Sequence, residues 1–244
     1  MTEIFLDTAN INDIEKFLSW NIGKGITTNQ KIFLKEKGCN FEKRAKEILE
    51  IAKGFPVSLE GPNKLSELIE TAKEYQKWNY KNLVIKVPML GNGDGLKAVK
   101  ELSKLGIKTN VTACMNLNQA FLAASAGATY VSLFYNRMQD WKYEQLSKGL
   151  EKNIFVDSLK LNATRYSGQT IKNTMKMLEN FDTKLIVGSI RSSTDIEEIL
   201  TCEPDIITIP AKILEQMPFN EKTETTLKEF ECAWEEFKRF ESKG

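Results

Sequence analysis

Eight short runs of apolar and β-branched residues recur along the 244-residue chain, each separated from the next by a longer segment. The runs are IFLD (4–7), KGITTN (24–29), PVSLE (56–60), LVIKVP (83–88), IKTNVT (107–112), TYVSLF (129–134), KLIVGS (184–189) and DIITIP (205–210). Most are apolar at successive positions, as a strand covered on both faces must be. Between them, Phe41–Ala52 and Leu65–Trp78 place apolar residues three and four apart with charges between, and Gly93–Leu105 and Asn116–Ala126 do likewise. Strands alternating with helices predict an α/β fold with a parallel sheet, and eight strands predict closure into a (β/α)8 TIM barrel. The rival is an open doubly wound sheet. No GxGxxG follows the first run, which weakens the dinucleotide-binding form of that rival.

Two segments fit the repeat poorly. Residues 139–181 are polar and longer than one helix needs. Residues 221–242 predict an extra helix with Phe230, Trp234, Phe237 and Phe240 near one face. The division expected is therefore a catalytic barrel over 1–220 and a C-terminal helix over 221–244.

Composition narrows the function. The net charge of +1 argues against a nucleic-acid or membrane surface as the main partner. Cys39, Cys114, Cys202 and Cys232 make no CxxC pair and read as reduced thiols. MTEIFLDTAN shows no signal-peptide pattern, and no run reaches transmembrane length, so a cytoplasmic location is expected. Histidine is absent. That removes Ser-His and Cys-His triads, HExxH zinc sites and any imidazole base, leaving carboxylates, lysine, tyrosine, threonine or water for proton transfer.

Lys86 is the sharpest chemical signal, an amine inside LVIKVPM with apolar neighbours on both sides. Such an amine is costly unless paired or neutral. At the C-terminal end of a barrel strand it is placed for Schiff-base catalysis; the alternative is a strand-end lysine that snorkels to solvent. Asp7 and Glu60 close the first and third runs and offer acid–base groups at the same mouth. Asp7 could instead cap the following helix. Asn29 and Thr112 end the second and fifth runs, where each alone reads as a turn or capping residue. Arginine is scarce, five in all, yet Arg137 and Arg191 fall just past the sixth and seventh runs, where with Ser189 they could bind phosphate. Two surface loop arginines are the plainer reading. GNGDG (91–95) lacks the Lys-Ser/Thr of a P-loop and reads as a loop and helix start.

Taken as an ordered set, IFLDTAN, GITTNQ, LVIKVPM, GIKTNVTA, AGATYVSLFYNR, LIVGSIRS and IITIPAKILEQM resemble the successive signatures of the small transaldolases and the related fructose-6-phosphate aldolases. The resemblance covers most of residues 3–137 and 184–217, and at the third run only Glu60 corresponds. It implies that Lys86 is the Schiff-base lysine and Asp7 the acid–base group, and that Glu60 and Thr112 hold a proton-relaying water. It also implies that Thr28, Asn29 and Ser132 bind the substrate, that Phe134 lines the site, and that Arg137, Ser189 and Arg191 take the phosphate. The implied activity is a transferase of the pentose phosphate pathway in carbohydrate metabolism, with sugar-phosphate substrates and neither metal nor organic cofactor. A ring-forming homo-oligomer, a pentamer or decamer, is implied as well, with the C-terminal helix packed on a neighbouring subunit. An aldolase releasing free dihydroxyacetone, a transferase for an unusual sugar, and a catalytically silent sugar-phosphate-binding barrel are the alternatives. The chain departs from the family pattern at Gln30, where proline is usual, in LGNGDG after KVPM, and across 139–181.

Overall fold

Strand residues alternate sides, so a strand whose neighbours are all apolar must be covered front and back. LVIKVP meets that condition: all six residues of β4 (Leu83–Pro88) are buried. The computed structural model describes residues 1–150 and 156–241. In it β1 (Glu3–Asp7), β2 (Gly23–Thr27), β3 (Val57–Glu60), β4, β5 (Thr109–Cys114), β6 (Tyr130–Phe134), β7 (Lys184–Gly188) and β8 (Ile206–Pro210) form a closed, all-parallel barrel in chain order. The fold is the (β/α)8 barrel expected, not the open sheet, and closure comes from pairing of β1 with β8 along its length.

The helices are α1 (Ile11–Ser19), α2 (Gln30–Phe33), α3 (Phe41–Ile51), α4 (Leu65–Gln76), α5 (Asp94–Lys104), α6 (Leu117–Ala126), α7 (Tyr135–Ser147), α8 (Val156–Leu178), α9 (Ser193–Leu200), α10 (Ala211–Gln216) and α11 (Glu221–Glu241). Local signals set several starts. The Asn10 side chain accepts from the Asn12 and Asp13 amides and caps α1, so Asp7 is released from the capping role the sequence allowed it. Ser192 and Asp195 form a capping box on α9. GNGDG does start a helix, with Gly93 at φ 81° as the residue before α5. The long segment 139–181 resolves into the end of α7 and the whole of α8, which pack on each other; its residues 151–155 lie outside the described residues.

Two layers of apolar side chains follow from the alternation. The outward set, including Leu6, Ile26, Leu59, Ile85, Val87, Val111, Leu133, Val187 and Ile209, packs beneath the helices in the main core. Inside the barrel, Phe5, Ile186 and Ile206 form their own cluster with Tyr130 against it. Gly25 makes that cluster possible, because a Cβ there would lie 2.6 Å from the Phe5 ring. Two residues further along β1, β2 and β8 the inward row turns polar: Asp7 follows Phe5, Thr27 follows Gly25, and Thr208 follows Ile206. The polar end is the C-terminal mouth, where barrel enzymes carry their chemistry. All four cysteines are free, and burial pushes the Cys114 thiol up to about 12.

Candidate active site

Lys86 points into this polar layer. It is 5% exposed, and its Nζ donates to the Thr28 carbonyl at 2.7 Å. The Glu60 carboxylate stands 3.3 Å away, because β3 and β4 pair with Glu60 directly beside Lys86. The amine therefore does not snorkel to solvent. Breaking one side of such a shielded pair leaves an uncompensated charge, at a cost of about 3–5 kcal/mol for a buried pair.

Asp7 sits across the mouth. Its Oδ1 accepts from the Thr27 hydroxyl at 2.7 Å, and the Thr27 and Thr208 hydroxyls lie 2.5 Å apart. A hydroxyl donates once, so Thr27 turned to Asp7 must itself accept from Thr208, giving a chain that ends on the carboxylate. Burial pushes the Asp7 carboxyl above its ordinary value, against the opposing pull of Lys86, the Thr27 hydrogen bond and Lys35; the Glu60 charge adds to the rise. Three ionisable groups of alternating sign thus share one mouth: Asp7, Lys86 and Glu60.

The remaining mouth residues divide by what already holds them. Thr112, next to Pro88 in the β4–β5 register, has a buried hydroxyl with no hydrogen-bond partner among the described residues. Ser132 donates to Asn110 Oδ1 at 2.7 Å, and Asn110 Nδ2 reaches Ser58 Oγ at 3.3 Å. Asn29 uses its side-chain oxygen to cap α2, accepting from the Ile32 amide at 3.0 Å. Its capping role is thus real, and the NH2 end of the amide makes no hydrogen bond among the described residues. Thr28 is placed beside Lys86 by its backbone. It is fully buried, its hydroxyl donates to the Ser58 carbonyl at 2.8 Å, and what it offers the site is its own carbonyl, to Lys86. Phe134, half-buried, ends β6 beside Gly188 of β7.

Of the two arginines only Arg191 lies in a loop, between β7 and α9. No loop follows β6, so Arg137 lies in the first turn of α7. Ser189 bends the chain after β7 with φ 63°, and its carbonyl accepts from the Asn136 amide N–H and Nδ2. Arg191 follows, its backbone N–H donating to Asp195 Oδ2 at 2.7 Å and its guanidinium forked onto Asp140. Among the described residues no group of three Cys, Asp or Glu stands close enough to hold a metal ion.

A family model described as transaldolase/fructose-6-phosphate aldolase matches residues 4–243. The chain belongs to that family. Relatives agree along the whole length: a probable transaldolase of Caldicellulosiruptor saccharolyticus is 39% identical, with 96% of this chain and 97% of the relative covered. One from Moorella thermoacetica is 38% identical over 96% and 98% of the two chains, and one from Carboxydothermus hydrogenoformans is 36% identical over 97% and 100%. Membership in the transaldolase/fructose-6-phosphate aldolase family makes the chain an enzyme of transaldolase type. Asn110, Ser58, Thr27 and Thr208 hold the family's mouth together here, yet no single motif pointed to them. Their signal is a polar residue recurring at every second position, Ser58 and Glu60 in VSLE and Asn110 and Thr112 in TNVT.

Proposed function

We propose that this enzyme transfers a dihydroxyacetone unit between sugar phosphates through an imine on Lys86. The observation that carries the reading is the shielded Lys86 amine between the Glu60 carboxylate and the Thr28 carbonyl, with the Asp7 carboxyl across the mouth. Glu60, 3.3 Å from Nζ, can take the proton that Lys86 must lose before it attacks the ketose carbonyl. Loss of water from the adduct gives the imine, an electron sink for cleavage of the neighbouring carbon–carbon bond. Asp7 takes the proton of the hydroxyl that becomes the departing aldehyde. A carboxyl with a raised pKa suits this alternation between acid and base. The enamine left on Lys86 then attacks an acceptor aldehyde, Asp7 returns the proton, and hydrolysis frees the amine.

The unpartnered Thr112 hydroxyl and Glu60 are suited to hold the water this cycle consumes and releases. Ser132, fixed by Asn110, and the amide of Asn29 are placed for the hydroxyls of the three-carbon unit. Arg137, Ser189 and Arg191 take the phosphate of the sugar. The substrates proposed are sedoheptulose 7-phosphate and glyceraldehyde 3-phosphate, giving erythrose 4-phosphate and fructose 6-phosphate, in the cytoplasm. No helix among the described residues is long and apolar enough to cross a membrane. The barrel over 1–220 carries this chemistry, and the helix over 221–244 serves assembly of a homo-oligomer.

Borohydride reduction in the presence of fructose 6-phosphate tests the reading directly. Wild-type protein should gain one covalent three-carbon adduct, mapped to Lys86, and Lys86→Met should lose both adduct and turnover. A protein that binds the sugar phosphate without forming an adduct would be the silent barrel. An adduct that persists in Lys86→Met would move the nucleophile elsewhere.

A further inference from the structure

The rim past β6 and β7 carries a carboxylate where a phosphate is to bind. Arg191 starts from a fixed point, since Asp195 Oδ2 accepts from the backbone N–H of both Arg191 and Ser192, at 2.7 and 3.1 Å, and from Asn136 Nδ2 at 2.5 Å. The guanidinium then meets Asp140 end-on, Nη1 on Oδ1 at 2.8 Å and Nη2 on Oδ2. Asp140 lies three residues after Arg137 on α7, hence on the same face of that helix. The hydrogen bond from Arg191 holds the Asp140 carboxyl below its ordinary value, and the charges of Arg191 and Arg137 add to it.

Two cavities meet at this carboxylate. One, about 510 Å³, is lined by Arg137, Trp141 and Tyr166; the other, about 350 Å³, by Arg191, Lys160 and Thr164; Asp140 lines both. We propose that Asp140 is a resident anion in the phosphate seat, occupying Arg191 until a phosphate dianion displaces it and thereby selecting dianionic phosphate esters over singly charged ligands. The inference rests on the reading of Arg191 as a phosphate ligand. A carboxylate offers two oxygens and one charge, whereas a phosphoryl group at neutral pH carries a charge of about −1.5 to −2 over three oxygens. The dianion gains more from that exchange than a monoanion does. Both partners are about half exposed, 56% for Arg191 and 46% for Asp140, so the pair opens at little cost. Lys160, lining the same cleft, offers the displaced carboxylate a second cation.

The test compares full-length wild type, Asp140→Asn and Asp140→Ser for inhibition by inorganic phosphate and by nitrate, and for the ratio of kcat/KM between fructose 6-phosphate and fructose. Removing the charge should tighten inorganic phosphate inhibition about fivefold, the worth of a well-formed exposed pair. It should also make nitrate an inhibitor. A structural role for Asp140 predicts loss, so a gain in anion affinity separates the two. Phosphate inhibition that is unchanged or weakened in both variants overturns the proposal and makes Asp140 a support for Arg191. Arg191→Ala tests the underlying reading separately: a fructose 6-phosphate preference that survives it removes the phosphate seat itself.

Discussion

An amine in the interior of a barrel needs partners, and Lys86 has two, one from the backbone of the strand end two places round and one from the adjacent carboxylate. Asp7 is the group left with a net desolvation cost, and this has a consequence for stability. A carboxyl whose folded pKa is raised binds its proton more tightly in the native state. Its stabilising contribution is complete below the ordinary value of 3.8 and is lost as pH rises through the raised folded value. Asp7→Asn should therefore melt higher than wild type at neutral pH, and the gap should close in acid below the ordinary value, while turnover is lost. Thermal melts across that range check it; a variant no more stable than wild type at neutral pH contradicts the burial argument. Phe134 bears on the outcome of the reaction. Its ring offers no proton at the edge of the mouth, so the enamine proposed on Lys86 should persist until an acceptor arrives. The family resemblance ties phenylalanine and glutamate at Phe134 and Glu60 to transferases, and tyrosine and glutamine there to free aldolases. Phe134→Tyr, alone or with Glu60→Gln, should raise the ratio of dihydroxyacetone release to transfer by roughly tenfold, a modest share of what a positioned proton donor contributes. Both rates can be read with and without erythrose 4-phosphate. Wild type that releases as fast as it transfers would make the protein an aldolase.

Among the elements, β4 and α5 are joined through one glycine. A Cβ on Gly95 would lie 2.3 Å from the Pro88 carbonyl oxygen, an unyielding backbone atom at the end of the strand that carries Lys86. Gly95→Ala must push α5 off the barrel, and overpacking of this kind costs about 1–3 kcal/mol. Denaturant unfolding should show that loss; unchanged stability would mean the loop after β4 relaxes freely. α7 and α8 show why residues 139–181 looked too long for the repeat. The segment holds part of one helix and the whole of another, packed together beside the rim, and α8 supplies Lys160 to the Arg191 cleft.

At the scale of the whole molecule, α11 is the element without a place. None of its described residues is buried, and Phe230, Trp234, Phe237 and Phe240 are 65%, 55%, 49% and 69% exposed, with Leu227 one turn ahead on the same face. A contiguous apolar stripe of that kind marks an interaction surface. Deleting residues 221–244 should reduce the particle mass in sedimentation, and an unchanged mass would detach this helix from assembly. The barrel itself was legible in the chain, because strand and helix periodicity are local and each of the eight runs carries its own. The mouth was legible in part, because Asp7, Glu60, Lys86 and Thr112 stand at strand ends where polar residues interrupt apolar runs. What the chain alone left open was partnership: whether Lys86 snorkels or pairs, whether Asp7 caps a helix, and what Arg191 touches. Those answers lie between residues far apart in sequence. Lys86 meets a carbonyl 58 residues away, Asn110 meets Ser58 across 52, and Arg191 meets Asp140 across 51. Only strand register, barrel closure and helix packing bring such groups within hydrogen-bonding distance, so the tertiary structure decided them.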